Sequence, residues 1–109
     1  MSLMNLLFIC TYNEVRSRTG QEIFGSLATY EAKSAGTDPW AKVKVSPELL
    51  RWADVVIVME NVHRQFLYEK FEKEAQNIKI FVLNIPDDYY YMQPELVEIL
   101  KEKVEGLIL

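Results

Sequence analysis

Short apolar runs that alternate with amphipathic segments restrict the fold of this chain more than any other feature. Residues 6–10, 55–59 and 78–83 are largely apolar and each is about as long as a single strand. Apolar side chains at consecutive positions are typical of strands that are buried on both faces. Residues 33–36 are predicted to be a shorter strand, the second of four in chain order.

The segments between these strands have the pattern of helices. Apolar residues recur at helical spacing in residues 16–30, 61–75 and from 94 onward, and each set predicts an amphipathic helix. Ser46 followed by Pro47 has the residue types of an N-cap and a first helical position, which predicts a further short helix there. Strands alternating with helices favour an α/β fold, in which a parallel sheet is covered by helices on both faces as a three-layer sandwich.

Length and composition limit the classes of protein to consider. The 109 residues suit a single domain, and we predict one domain over residues 1–109, with residues 1–3 as a possible cloning leader before Met4. The net charge of −4 argues against non-specific binding to nucleic acid or to an anionic membrane. The single cysteine excludes an internal disulfide, and together with the lack of a recognisable secretory signal it favours a cytoplasmic protein.

The segment from Cys10 to Ser17 carries the strongest chemical signal. It joins a predicted buried strand to a predicted helix, and five residues separate Cys10 from Arg16. A loop of this length can wrap around an anion of the size of phosphate with its amide N–H groups pointing inward. The helix N-terminus and the planar guanidinium of Arg16 would add further donors. The same field favours the thiolate of Cys10, which Ser17 could stabilise by a hydrogen bond, while Asn13 suits a left-handed turn.

These residues resemble the phosphate-binding signature of the low-molecular-weight protein tyrosine phosphatases, which is a cysteine, five residues, an arginine and a serine. Asn13 matches the asparagine of that loop, and residues 34–37 resemble the family's Ser-Ala-Gly-Thr. Residues 47–59 are similar to its third-strand region, and residues 87–90 resemble its Asp-Pro-Tyr loop. The chain is shorter than usual, and it has Tyr12, Val15 and Arg18 where the family has a glycine, a second cysteine and a proline.

The resemblance implies four parallel strands in the order 2-1-3-4, in a phosphotyrosine phosphatase I-like fold. It also implies hydrolysis of phosphomonoesters, with protein phosphotyrosine or a small aryl phosphate as substrate, through a phosphocysteine intermediate. Cys10 would be the nucleophile, Arg16 the phosphate ligand and Asp87 the general acid, with the adjacent Asp88 as the alternative acid. No cofactor or metal is expected, and inorganic phosphate or sulfate should also occupy the loop. The expected substrate-binding residues are Thr11, Tyr12, Asn13, Glu14, Val15, Ser17, Trp40 and Tyr89.

Other functions remain open at this point. Phosphocarrier domains of the phosphotransferase-system IIB type have a phosphorylated cysteine after the first strand of a similar sheet. They do not require an arginine six residues after that cysteine, where this chain has Arg16. A phosphate-binding regulator without turnover is a further alternative, because Glu14 puts a negative charge near the expected phosphate.

We predict that Glu60 lies at the N-terminal cap of its helix, and that His63, the one histidine, is exposed and has no role.

Overall fold

The sheet has four parallel strands in the predicted order. A computed structural model describes residues 3–108, and Met1 and Ser2 of the possible leader lie outside the described residues. The strands are β1 (Met4–Cys10), β2 (Tyr30–Gly36), β3 (Val55–Val58) and β4 (Lys79–Val82), arranged β2-β1-β3-β4. The register pairs Cys10 with Gly36 and Ile9 with Val58, so the carboxyl ends of three strands meet at one edge. The expected strand order is confirmed.

Within the described residues, five helices cover the two faces of this sheet: α1 (Arg16–Gly25), α2 (Pro47–Trp52), α3 (Asn61–Lys70), α4 (Glu72–Ala75) and α5 (Pro94–Ile108). Alternate residues of β1 point to opposite faces, as the pleat of a strand requires. Leu6 and Phe8 pack in the core cluster that contains Phe24 of α1 and Leu100 of α5. Leu7 and Ile9 pack in the cluster on the other face, which includes residues of α2, α3 and α4. The three-layer architecture is therefore confirmed.

Two predicted helices end earlier than expected. The first was expected over residues 16–30 but ends at Gly25, and Tyr30 begins β2 instead. Leu27, one of the apolar residues at helical spacing in the range 16–30, is exposed. The second was expected over 61–75 but is interrupted at Phe71, whose φ of −134° lies outside the helical region. Phe71 packs against the core instead, so burial of its ring takes precedence over helical continuity.

Ser46 and Pro47 begin α2 as predicted. The side-chain oxygen of Ser46 accepts a hydrogen bond from the amide of Leu49, and Pro47 occupies the start of the helix.

Within residues 3–108, no helix has the length and hydrophobicity that a membrane span needs.

Candidate active site

The loop after β1 turns its carbonyl groups outward. Thr37 and Asp38 donate their amides to the carbonyls of Cys10 and Thr11, each at 3.0 Å, and Lys42 donates to the carbonyl of Tyr12 at 3.2 Å. The N–H of a trans peptide points opposite to its carbonyl, and this chain has no cis peptide among its described residues. The amides of residues 11–13 therefore point toward the inside of the loop. This is the arrangement that binds anions through backbone N–H groups.

Gly36, at the end of β2, allows this close approach. A Cβ atom at Gly36 would lie 2.4 Å from the carbonyl oxygen of Thr11 and 2.6 Å from the Cβ of Ala41. Glycine is needed here because two backbone segments meet where a side chain would stand. The motif Ser-Ala-Gly-Thr contains this glycine, although the sequence did not reveal its role.

Cys10 lies at the bottom of the loop and contacts Ser17, which is itself hydrogen-bonded to Asn13. Its Sγ is 2.9 Å from Oγ of Ser17, and Nδ2 of Asn13 donates to the same Oγ at 2.8 Å. Since Asn13 fills an acceptor position of Ser17, the Ser17 hydroxyl proton is free to bond the sulfur. A thiolate on Cys10 would therefore receive a hydrogen bond from Ser17. Asn13 has a left-handed φ of 57°, as its residue type suggested.

Arg16 is the first residue of α1, and its side chain is almost wholly buried. Its Nη1 donates to Oε2 of Glu60 at 2.5 Å and to the carbonyl of Ile85 at 2.8 Å. Its Nε lies 3.7 Å from Oδ1 of Asp87, too far for a hydrogen bond. Nη2 has no hydrogen-bond partner within residues 3–108. Every buried side-chain N or O atom of the described residues does have a partner, so an unpaired atom cannot be a buried one. Nη2 is therefore accessible, and the Nε–Nη2 edge can form a two-pronged hydrogen bond with an anion.

Cys10 and Arg16 line a small cavity. Its volume is about 80 Å³, and its other lining residues are Tyr12, Glu14, Val15 and Asp87. Binding sites for drug-sized ligands have volumes of roughly 300–1,000 Å³, so this cavity suits a single small anion. A larger cleft of about 670 Å³ lies between α2 and α4 and does not include Cys10.

The remaining predicted site residues are placed in different surroundings. Asp88 does not line the cavity, whereas Asp87 does. Neither Trp40 nor Tyr89 lines the cavity. Trp40 is 86% exposed, and Tyr89 packs in part against the core. Their roles as substrate walls remain predictions. Within residues 3–108, no three His, Cys, Asp or Glu side chains are placed to hold a metal ion.

Two residues at the start of α3 were not predicted as part of the site. Glu60 is the N-cap of α3, as expected, but its carboxylate also pairs with Arg16. His63 is 1% exposed, so the prediction of an exposed residue is wrong. Burial and the charge of Arg16 lower the pKa of His63 from 6.5 to about 4, although Glu60 and Asp87 act in the opposite direction. His63 is therefore neutral at physiological pH.

Comparison with known proteins relates this fold to a group of phosphatases. The sequence matches no protein-family model, and no curated protein is significantly similar to it. Many solved structures do share its fold, and three of them are phosphatases with the following similarity. A low molecular weight protein tyrosine phosphatase from T. tengcongensis is 24% identical, with a TM-score of 0.73 over 95% of this chain and 99% of that chain. The tyrosine phosphatase Wzb from Escherichia coli K30, in complex with phosphate, is 20% identical, with a TM-score of 0.77 over 96% of each chain.

The third is the YwlE arginine phosphatase from Geobacillus stearothermophilus, which is 23% identical, with a TM-score of 0.70 over 95% of this chain and 92% of that chain. These structures cover nearly all of the present chain. Their similarity agrees with the parallel β2-β1-β3-β4 sheet. The chain therefore has the fold of the low molecular weight protein tyrosine phosphatases, as the resemblance in its sequence implied.

Proposed function

We propose that this protein hydrolyses phosphomonoesters, with protein phosphotyrosine as the expected substrate, through a phosphocysteine on Cys10. The observation that carries the proposal is the thiol of Cys10 at the bottom of an anion-sized cavity that Arg16 also lines. The tyrosine phosphatase Wzb, which has this fold, is known in complex with phosphate. A small aryl phosphate or a phosphorylated protein would present the same phosphoryl group to the cavity. We also propose that the protein acts in the cytoplasm.

The proposed reaction has two steps. The Cys10 thiolate attacks phosphorus as the bond to the leaving oxygen breaks, and Asp87 gives its proton to that oxygen. Water then attacks the phosphocysteine while Asp87 takes one of its protons, which releases phosphate and restores the thiolate. Arg16 and the loop amides stabilise the negative oxygens in both steps. A phosphocarrier or a regulator without turnover would need neither the acid nor the water step.

Asp87→Asn tests the proposal with a series of aryl phosphates. For basic leaving groups we expect kcat to fall by about 10²–10⁴-fold, because the leaving oxygen then receives no proton. The loss should shrink as the leaving phenol becomes more acidic, since such phenolates leave without protonation. Asp88→Asn is the matched control, because this neighbouring carboxylate does not line the cavity.

Either of two results would contradict this proposal. If the unmodified protein does not hydrolyse any of the aryl phosphates while phosphate still binds, the chain is a binding protein. If Asp88→Asn shows the leaving-group dependence and Asp87→Asn does not, the acid is assigned to the wrong residue.

A second substrate class is favoured by Glu14. Its exposed carboxylate lines the cavity together with Asp87, although the substrate's phosphoryl group is itself an anion. A phosphorylated arginine side chain would bring a cationic guanidinium next to the phosphate, and such a group could pair with Glu14. The YwlE protein with this fold is described as an arginine phosphatase.

Glu14→Gln separates the two substrate classes. With phosphotyrosine we expect kcat/KM to rise by about fivefold, because a repulsive exposed charge of modest strength is removed. With phosphoarginine we expect kcat/KM to fall by a similar factor. Both changes should diminish at high ionic strength. Equal effects on the two substrates would mean that Glu14 does not discriminate between leaving groups.

A further inference from the structure

The imidazole of His63 connects the start of α3 to the loop that holds Cys10. Its Nδ1 lies 3.0 Å from the backbone nitrogen of Glu60, and its Nε2 lies 2.9 Å from Oγ1 of Thr11. Thr11 follows Cys10 directly in sequence, whereas His63 lies 52 residues farther along the chain than Thr11. The ring is buried, so both of its nitrogens are used within the protein.

The contact with Glu60 determines which ring nitrogen carries the proton. A backbone N–H can only donate, so Nδ1 must be the acceptor and therefore has no proton. A neutral imidazole then has its proton on Nε2, which donates to Oγ1 of Thr11. The ring is neutral because it is buried next to the guanidinium of Arg16, with only the carboxylates of Glu60 and Asp87 to oppose that charge.

The residues on both sides of His63 belong to the phosphate-binding geometry. The carbonyl of Thr11 accepts a hydrogen bond from the amide of Asp38, and this contact turns the amide of Tyr12 toward the inside of the loop. Glu60 holds Nη1 of Arg16. His63 is thus bonded both to the loop and to the residue that orients the arginine.

We propose that His63 is a positioning residue, which keeps the loop after Cys10 in its anion-binding form by donating a hydrogen bond to Thr11. The contact with the Glu60 amide sets the tautomer that makes this donation possible. His63 touches neither the cavity nor the substrate, so its effect passes through Thr11. This inference deepens the proposed phosphatase function, and its primary test is anion binding, which does not require turnover.

The test compares side chains that keep one of the two contacts of His63. An asparagine carbonyl can replace Nδ1 as the acceptor from Glu60 but cannot reach Thr11, whereas a glutamine amide can replace the Nε2 donor. We expect His63→Asn and Thr11→Val each to weaken tungstate binding by about tenfold, which is typical of one lost buried hydrogen bond. His63→Gln and Thr11→Ser should each retain most of the affinity. Gln65→Asn, at an exposed position of the same helix, is the matched control.

The double variant of His63→Asn with Thr11→Val should bind tungstate no more weakly than either single variant, because both changes remove the same contact. Alkylation of Cys10 by iodoacetate should slow in parallel with the loss of tungstate affinity, while thermal unfolding shows that each variant is folded at the assay temperature. Equal losses for the asparagine and glutamine variants, or additive losses in the double variant, would overturn the proposal. If the unmodified protein binds tungstate but hydrolyses no phosphoester, the proposed function fails while these binding results still decide the role of His63.

Discussion

Cys10→Ser is expected to reduce the rate of aryl phosphate hydrolysis by roughly 10⁵-fold or more. The remaining rate should not be distinguishable from that of the uncatalysed reaction. The thiolate is the nucleophile of the proposed reaction, and a hydroxyl is a weak nucleophile unless a base deprotonates it. Oγ of Ser17, which lies 2.9 Å from Sγ of Cys10, is a hydroxyl and cannot serve as such a base. Turnover of an aryl phosphate in the steady state measures the effect.

Binding of an oxyanion to the same variant provides the control. Tungstate should bind Cys10→Ser within a few-fold of its normal affinity, because the loop amides and Arg16 remain in place. Loss of binding together with turnover would indicate that the loop has collapsed, so that the kinetic result says nothing about the nucleophile. Measurable turnover in a correctly folded variant would exclude the covalent mechanism.

Arg16→Lys is expected to reduce kcat/KM on the order of 10³-fold, close to the loss in Arg16→Ala. A lysine keeps the positive charge but not the planar group that holds Glu60 and the Ile85 carbonyl on one side and an anion on the other. Removal of a single well-placed donor from a transition-state site costs about 10²–10³-fold, and Arg16 supplies more than one. The measurement is kcat/KM for an aryl phosphate, with tungstate affinity as a second readout.

Arg18→Lys is the matched control for this substitution. Arg18 lies two residues farther along α1, with its guanidinium 5.0 Å from the centre of the Tyr91 ring and not in the cavity. We expect less than about a threefold change in activity, because an exposed cation–π contact is weak. Near-normal activity of Arg16→Lys would show that Arg16 acts only as a charge and that its fork geometry is unimportant.

Arg16→Ala should also lower stability, since the partly buried carboxylate of Glu60 would lose its partner. Because this carboxylate is 41% exposed, water replaces part of the lost pairing, and we expect a cost on the order of 1 kcal/mol. Combining Arg16→Ala with Glu60→Gln should recover part of the thermal stability and none of the activity. This pattern would separate the structural effect of the arginine from its effect on the reaction.

The sequence by itself determined the order of strands and helices and the residues of the loop that joins β1 to α1. Apolar runs near 6–10 and 55–59 could be identified because strands buried on both faces have no polar positions. The spacing from Cys10 to Arg16 indicated an anion loop because it lies between a strand and a helix. The strand ends at Cys10 and the helix begins at Arg16, as expected. Local patterns of this kind depend on neighbouring residues only, so they can be read without the fold.

Only the tertiary structure decided the environment of side chains whose partners are distant in sequence. His63 has the spacing of a surface residue on a charged helix, yet it is buried because the loop after β1 packs against the start of α3. Glu60 was expected at a helix cap, but its carboxylate meets Arg16 because β1 and β3 are neighbours that end at the same edge. Gly36 had to be glycine because the loop approaches it closely. In each case the free energy of a side chain depends on desolvation and on groups that the folded sheet brings together, and no local pattern encodes those distances.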